Sequence, residues 1–136
     1  MIPIIKYILI LSLKNIKELM DLTIITLELY QELVPVEYLQ SNIDLVLEAD
    51  IDTLFITEKT WKPIAFKKPF IIYGGKGIHS KLEELGFKLH TELFDYSFDN
   101  EENRLDLICE QVNKYIDMHP NKLRDIIDFD KVEYNY

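Results

Sequence analysis

The apolar positions change period several times along the chain, and each change marks an element. Leu13, Ile16, Leu19, Met20, Ile24 and Leu27 recur at three- and four-residue steps. That stripe predicts an amphipathic helix over residues 13–33, ended by Pro35. Before it, residues 1–13 are apolar apart from Lys6 and Ser12. This run is too short to span a bilayer and no small-residue cleavage site follows, so it reads as an apolar element packed in a core or against a partner. After Ser41 the texture shifts. Ile43–Glu48 is a short apolar run bounded by polar residues, which predicts a buried strand. Thr57 is suited to cap a helix over residues 58–67, with Glu58 complementing its dipole, Pro63 bending or shortening it and Pro69 closing it. Phe70–Tyr73 is the clearest strand, followed at once by Gly74-Gly75-Lys76-Gly77. Ser80–Leu85 reads as a short helix stopped by Gly86, and Phe87–His90 as a third strand. Asn100 caps a long final helix whose stripe is Leu105, Ile108, Val112, Tyr115 and Ile116. His119-Pro120-Asn121 breaks it, and Leu123–Phe129 forms a last short helix.

From residue 43 to 117 strands and helices alternate. This order predicts an α/β fold, a Rossmann-like three-layer parallel sheet, preceded by an N-terminal helical segment. The boundary falls at residues 41 and 42: 1–41 form the helical segment and 42–136 the lobe. Three strands make a narrow sheet, which points to half of a larger fold or to a domain completed by a partner.

Composition narrows the function classes. A chain of 136 residues with 48% apolar residues can build a core, which argues against disorder. Its net charge of −9 argues against binding a nucleic acid polymer or an anionic lipid surface. One cysteine, Cys109, excludes an internal disulfide and a multi-cysteine zinc site and fits a reducing, cytoplasmic setting. Its place on the apolar side of the last long helix predicts a core position. The charge is unevenly spread. Residues 57–88 hold seven Lys against three Glu, a basic block inside an acidic protein.

That block coincides with the chemistry. In an open parallel sheet, ligands bind beyond the carboxyl ends of the strands. Two loops fall there: Glu48–Thr60, ending in Thr57-Glu58-Lys59-Thr60, and Gly74–Ser80. Helix-terminal N–H groups, a glycine-rich turn and Lys59 and Lys76 together make an anion site suited to a nucleoside diphosphate. Glu58 is suited to accept hydrogen bonds from ribose or sugar hydroxyls, and Lys59 to meet a phosphate as a point charge. The competing reading is structural. Gly74-Gly75-Lys76-Gly77 is neither a Walker A loop nor G-x-G-x-x-G, three glycines after a strand also make a plain tight turn, and Lys62, Lys67 and Lys68 also describe a solvated helix face. The remaining candidates read as structural: His79, His90 and His119 lack metal-ligand spacing, Asp95, Asp99, Glu101 and Glu102 form an acidic loop at a helix start, and Trp61 and Tyr73 suit core packing.

The stretch Phe55-Ile56-Thr57-Glu58-Lys59-Thr60-Trp61-Lys62-Pro63-Ile64-Ala65, followed by Lys68-Pro69-Phe70-Ile71-Ile72-Tyr73-Gly74, resembles the donor-binding segment of α-1,3-fucosyltransferase-like glycosyltransferases. It also resembles a group of uncharacterised viral and bacterial proteins that share this pattern, a Leu-Gly-Phe-Lys after a helix (here Leu85–Lys88) and an acidic stretch (here Phe94–Asp99). The similarity runs over roughly residues 42–112. It implies the C-terminal half of a two-lobed GT-B fold that binds a nucleotide-diphosphate sugar, with Glu58 on sugar or ribose hydroxyls and Lys59 on the diphosphate. Thr57, Gly74, Gly75 and Lys76 complete the expected donor site. No metal and no cofactor beyond the donor are implied. The family also uses an arginine upstream of the motif, whereas the first arginine here is Arg104, and its general base lies in an acceptor lobe. Catalysis would therefore need an acceptor-lobe partner; the alternative is a non-catalytic interaction or remnant domain that keeps the fold.

Overall fold

Two apolar runs without helical spacing form the strands of the computed structural model, which describes residues 36–136. They are β1 (Asp44–Leu47) and β2 (Phe70–Tyr73). They pair in parallel, Asp44 opposite Phe70 and Leu47 opposite Tyr73, and the ladder runs on through Glu48 N–H to the Tyr73 carbonyl at 3.0 Å. The helices are α1 (Val36–Gln40), α2 (Glu58–Ala65), α3 (Ile78–Glu84), α4 (Arg104–Ile116), α5 (Pro120–Ile126) and α6 (Phe129–Asn135), with a 3-10 helix at Tyr96–Asn100 before α4. The chain divides into two units, Met1–Gln40 and Ser41–Tyr136. The second carries every element from β1 onward. The helix expected over residues 13–33 and the apolar run before it lie outside the described residues.

The fold is α/β, and among the described residues its sheet has two strands, not the three of the expected layered sheet. Phe87–His90 forms no strand among the described residues. Its backbone groups are taken by other partners. Phe87 N–H closes the end of α3 on the Leu82 carbonyl at 3.0 Å. The Asn135 side-chain amide bonds both the N–H and the C=O of Lys88, each at 2.8 Å, and the Tyr96 hydroxyl accepts from His90 N–H at 3.2 Å. Side chains take the Lys88 groups and the His90 N–H, which a strand partner would otherwise meet.

Helix ends follow local rules. Thr57 caps α2, its hydroxyl accepting from Lys59 N–H at 3.2 Å. Pro63 lies inside α2, and the helix stops at Ala65, two residues before the expected end. The stop is a Schellman turn: Lys68 N–H bonds the Pro63 carbonyl at 2.8 Å, Lys67 N–H the Ile64 carbonyl at 3.1 Å, and Lys67 takes a left-handed φ of 56°. The end of α3 repeats the motif with Gly86 at φ 96°, where glycine removes the steric cost. Lys68 departs from the solvated-face reading. It is buried and its ammonium donates to the Ser41 carbonyl, while burial pulls its pKa down.

The core joins Ile71 of β2 to Leu93, Phe94, Phe98, Ile108, Leu123, Ile127 and Val132. Ile71 and Ile108 are fully buried, each contributing about 2 kcal/mol of transfer free energy. The α4 stripe is only half used. Ile108 is buried, but Leu105 and Ile116 are 42% and 67% exposed, and Cys109 is exposed rather than in the core. Helix α4 starts at Arg104, with Asn103 at the cap position, because Tyr96–Asn100 is occupied by the 3-10 helix. No helix among the described residues is long and apolar enough to cross a membrane.

Candidate functional site

Both expected loops lie past the carboxyl ends of the strands, one after β1 and one after β2. Their backbones are in close contact. A Cβ on Gly75 would stand 2.1 Å from the Thr53 carbonyl oxygen, and a Cβ on Gly74 2.9 Å from Ile78 Cδ1 and 3.3 Å from Glu48 Cβ. Gly75 is required by backbone packing between the loops, while a Cβ on Gly74 would press on the Ile78 and Glu48 side chains. Asp50 shapes the first loop as an Asx turn, accepting from Asp52 N–H at 2.9 Å and from the Thr53 hydroxyl at 2.7 Å. The Thr53 bond in particular holds the Asp50 carboxyl below its ordinary pKa.

At the start of α2 the organising group is Glu48, a buried carboxylate at the end of β1. It accepts from the Thr57 hydroxyl at 2.7 Å and the Thr60 hydroxyl at 2.8 Å, and from Thr57 N–H at 3.4 Å. Thr57 is thereby turned inward, Glu58 is half-buried on the first turn, and Lys59 is exposed. Trp61, one turn further, is core, tilted against Phe87 at 5.6 Å between ring centres.

The start of α3 is filled differently. Gly77, at φ 80°, has no side chain to cap the helix. Asp99, reaching from the 3-10 helix, takes that place. One carboxylate oxygen accepts from His79 N–H at 3.2 Å and His79 Nδ1 at 2.8 Å; the other accepts from Ser80 N–H at 2.9 Å and the Ser80 hydroxyl at 3.1 Å. Burial alone would raise the Asp99 pKa, but the hydrogen bonds from His79 and Ser80 outweigh it and the net shift is downward. The His79 tautomer follows from its surroundings: Nε2 accepts from Ile72 N–H at 3.0 Å, so Nδ1 carries the proton given to Asp99. The amides expected to cradle a phosphate in this loop thus hold the protein's own carboxylate. Lys76 is exposed and pairs with Glu102.

One group of this edge was invisible to the sequence pattern. Arg104, 5% exposed, donates from Nη2 to the Gly74 carbonyl at 3.0 Å and the Ile51 carbonyl at 3.2 Å, and from Nη1 to the Glu101 carbonyl at 2.8 Å. It fastens both loops to the start of α4 and lies over the Tyr73 ring, 5.9 Å from its centre. The signal available was its isolation: it is the first arginine in the chain, set at a helix start between acidic neighbours. His79 and His90 are fully buried and His119 caps α5 by accepting from Asn121 N–H at 3.1 Å. Among the described residues no group of His, Cys, Asp and Glu is arranged to hold a metal ion. No family model, curated protein or solved structure matches the chain.

Proposed function

We propose that residues 41–136 form the donor-side lobe of a glycosyltransferase-like protein and hold a nucleoside-diphosphate sugar at the start of α2. The supporting observation is the first turn of that helix: buried Glu48 fixes Thr57 from inside, which leaves Lys59 exposed and Glu58 half-buried beside it past the carboxyl end of β1. Glu58 then accepts from a ribose or sugar hydroxyl, and Lys59 meets the diphosphate. When an acceptor oxygen attacks the anomeric carbon, the bond to the diphosphate oxygen breaks and that oxygen keeps the electron pair. Lys59 stabilises the charge that develops there. The acceptor's proton passes to a base in an acceptor lobe supplied by a partner.

This reading moves the phosphate away from Gly74, Gly75 and Lys76. The Asp99 carboxylate on the α3 amides and the close approach of Gly75 to Thr53 leave that loop a structural one. The same two observations favour the second reading, a non-catalytic interaction domain that retains the fold. Calorimetric titration of the full chain with GDP- and UDP-sugars separates the two. The donor-lobe reading expects saturable binding that Lys59→Ala weakens about tenfold or more, as for loss of a charge-assisted contact. Absence of heat with every nucleotide sugar supports the interaction domain instead.

A further inference from the structure

The segment after α3 meets the C-terminal helix at a histidine whose ring is bonded to nothing. His90 is fully buried, its ring edge-on to Phe70 at 5.0 Å and 82°. Neither ring nitrogen has a hydrogen-bond partner among the described residues. Nδ1 stands 3.6 Å from a Glu92 oxygen, too far for a hydrogen bond. That carboxylate is already engaged with α6 and its cap: Lys131 Nζ donates to it at 3.0 Å and Asp128 N–H at 3.3 Å, while Lys131 also reaches the Thr91 hydroxyl at 2.9 Å. The groups facing His90 are therefore Glu92 on its own segment, Lys131 and Asp128 from α6, and Tyr96 from the 3-10 helix; β2 contributes the Phe70 ring.

A neutral His90 leaves Glu92 Oε1 to the Asp128 N–H and Oε2 to Lys131. A protonated His90 is a buried charge that needs a counterion, and Glu92 is the carboxylate within reach. We propose that His90 is the trigger of an acid-opened latch whose moving part is α6, released when a protonated His90 draws Glu92 Oε1 away from the Asp128 N–H at the start of α6 and loosens the Lys131 pairing with it. The helix is suited to release. It has seven residues, of which Val132 and Asn135 are buried, and its other fastenings are the Asn135–Lys88 amide pair and exposed contacts such as Lys67–Glu133. Opening frees the N–H and C=O of Lys88, which Asn135 holds in the closed state.

The direction follows from linkage. Burial lowers the His90 pKa to about 4, below the 6.5 of an exposed histidine. The open state takes up a proton in that interval and the closed state does not, so the closed state loses ground as pH falls from 6.5 toward 4. At about pH 5 the expected shift in the opening equilibrium is roughly thirtyfold. The upper part of the interval lies above the carboxylate range of about 3.9–4.3, which separates it from loss of the Asp128 cap.

Hydrogen exchange of the full chain between about pH 7.5 and pH 5, corrected for intrinsic rates, tests the latch. Protection of residues 128–136 is expected to fall about tenfold or more across that range while residues 70–82 keep theirs. His90→Leu is expected to remove the dependence. Lys131→Gln, which leaves the buried ring in place, is expected to lower protection of α6 already at neutral pH. Joint loss of protection in both segments, an unchanged pH dependence in His90→Leu, or unchanged protection at neutral pH in Lys131→Gln overturns the proposal. Should His90→Leu not fold, the Lys131→Gln result decides it.

Discussion

The loops after β1 and β2 both enter a helix at the same edge of the sheet, and a buried carboxylate organises each helix start. The difference lies in what each carboxylate bonds. Glu48 follows the adjoining strand and takes mainly hydroxyl groups, those of Thr57 and Thr60, so the first turn of α2 leaves Lys59 exposed with Glu58 half-buried beside it. Asp99 comes from a 3-10 helix twenty residues away and takes the amides of His79 and Ser80 themselves. The glycine-rich loop carries the stronger outward look of an anion site, yet its amides are the ones already filled. A glycine after a strand signals close backbone approach as readily as it signals a phosphate, and only the neighbours of its missing Cβ tell the two apart.

Substitutions sharpen this contrast in order of size. The largest effect belongs to Gly75→Ala. With a Cβ 2.1 Å from the Thr53 oxygen, the backbone of one loop must move, and a loss of about 3 kcal/mol is expected in urea unfolding. A wild-type stability would remove the packing explanation for the glycine pair. Asp99→Ala follows, at about 2 kcal/mol, because it leaves the buried His79 donor and the α3 amides without their acceptor. Asp99 also predicts a pH dependence. Its folded pKa is lowered, so its contribution is present above the ordinary carboxylate range and is lost as pH falls through the folded value. Asp99→Asn should therefore flatten the acid limb of a stability–pH profile below about pH 4. Thr57→Ala is smaller, about 1 kcal/mol for a lost helix cap, with Glu48 keeping its bond to Thr60. Lys59→Ala, at an exposed position, should change stability by less than about 0.5 kcal/mol.

The sequence disclosed what is local. The two paired strands, the Thr57 cap and the Gly86 stop follow from spacing and capping residues within a few positions, whereas the short helices start at Ile78, Pro120 and Phe129 rather than at the expected Ser80 and Leu123. What it concealed is long-range. Phe87–His90 has the apolar texture of a strand, but whether such a segment pairs depends on what meets its backbone, and here Asn135, 47 residues on, supplies the partner. Arg104 and Asp99 were equally unreadable, since an arginine and an aspartate in an acidic stretch carry no periodic signature. Cys109, expected in the core, is exposed for a related reason: the α4 stripe is wider than the surface the rest of the unit offers it, so part of it faces outward. Thr57, Glu58 and Lys59 were legible as a motif, while the group that holds the motif in shape, Glu48, looked like the end of a strand.

The central claim is that the donor is held at the start of α2 and not by the glycine-rich loop. Thermal unfolding in the presence of GDP and UDP, compared across the wild type, Lys59→Ala and Lys76→Ala, tests it most directly. The account predicts a nucleotide-dependent rise in Tm of roughly ten degrees at a hundredfold excess over Kd, retained in Lys76→Ala and lost in Lys59→Ala. A rise retained in Lys59→Ala and lost in Lys76→Ala, or no rise with either nucleotide, contradicts it.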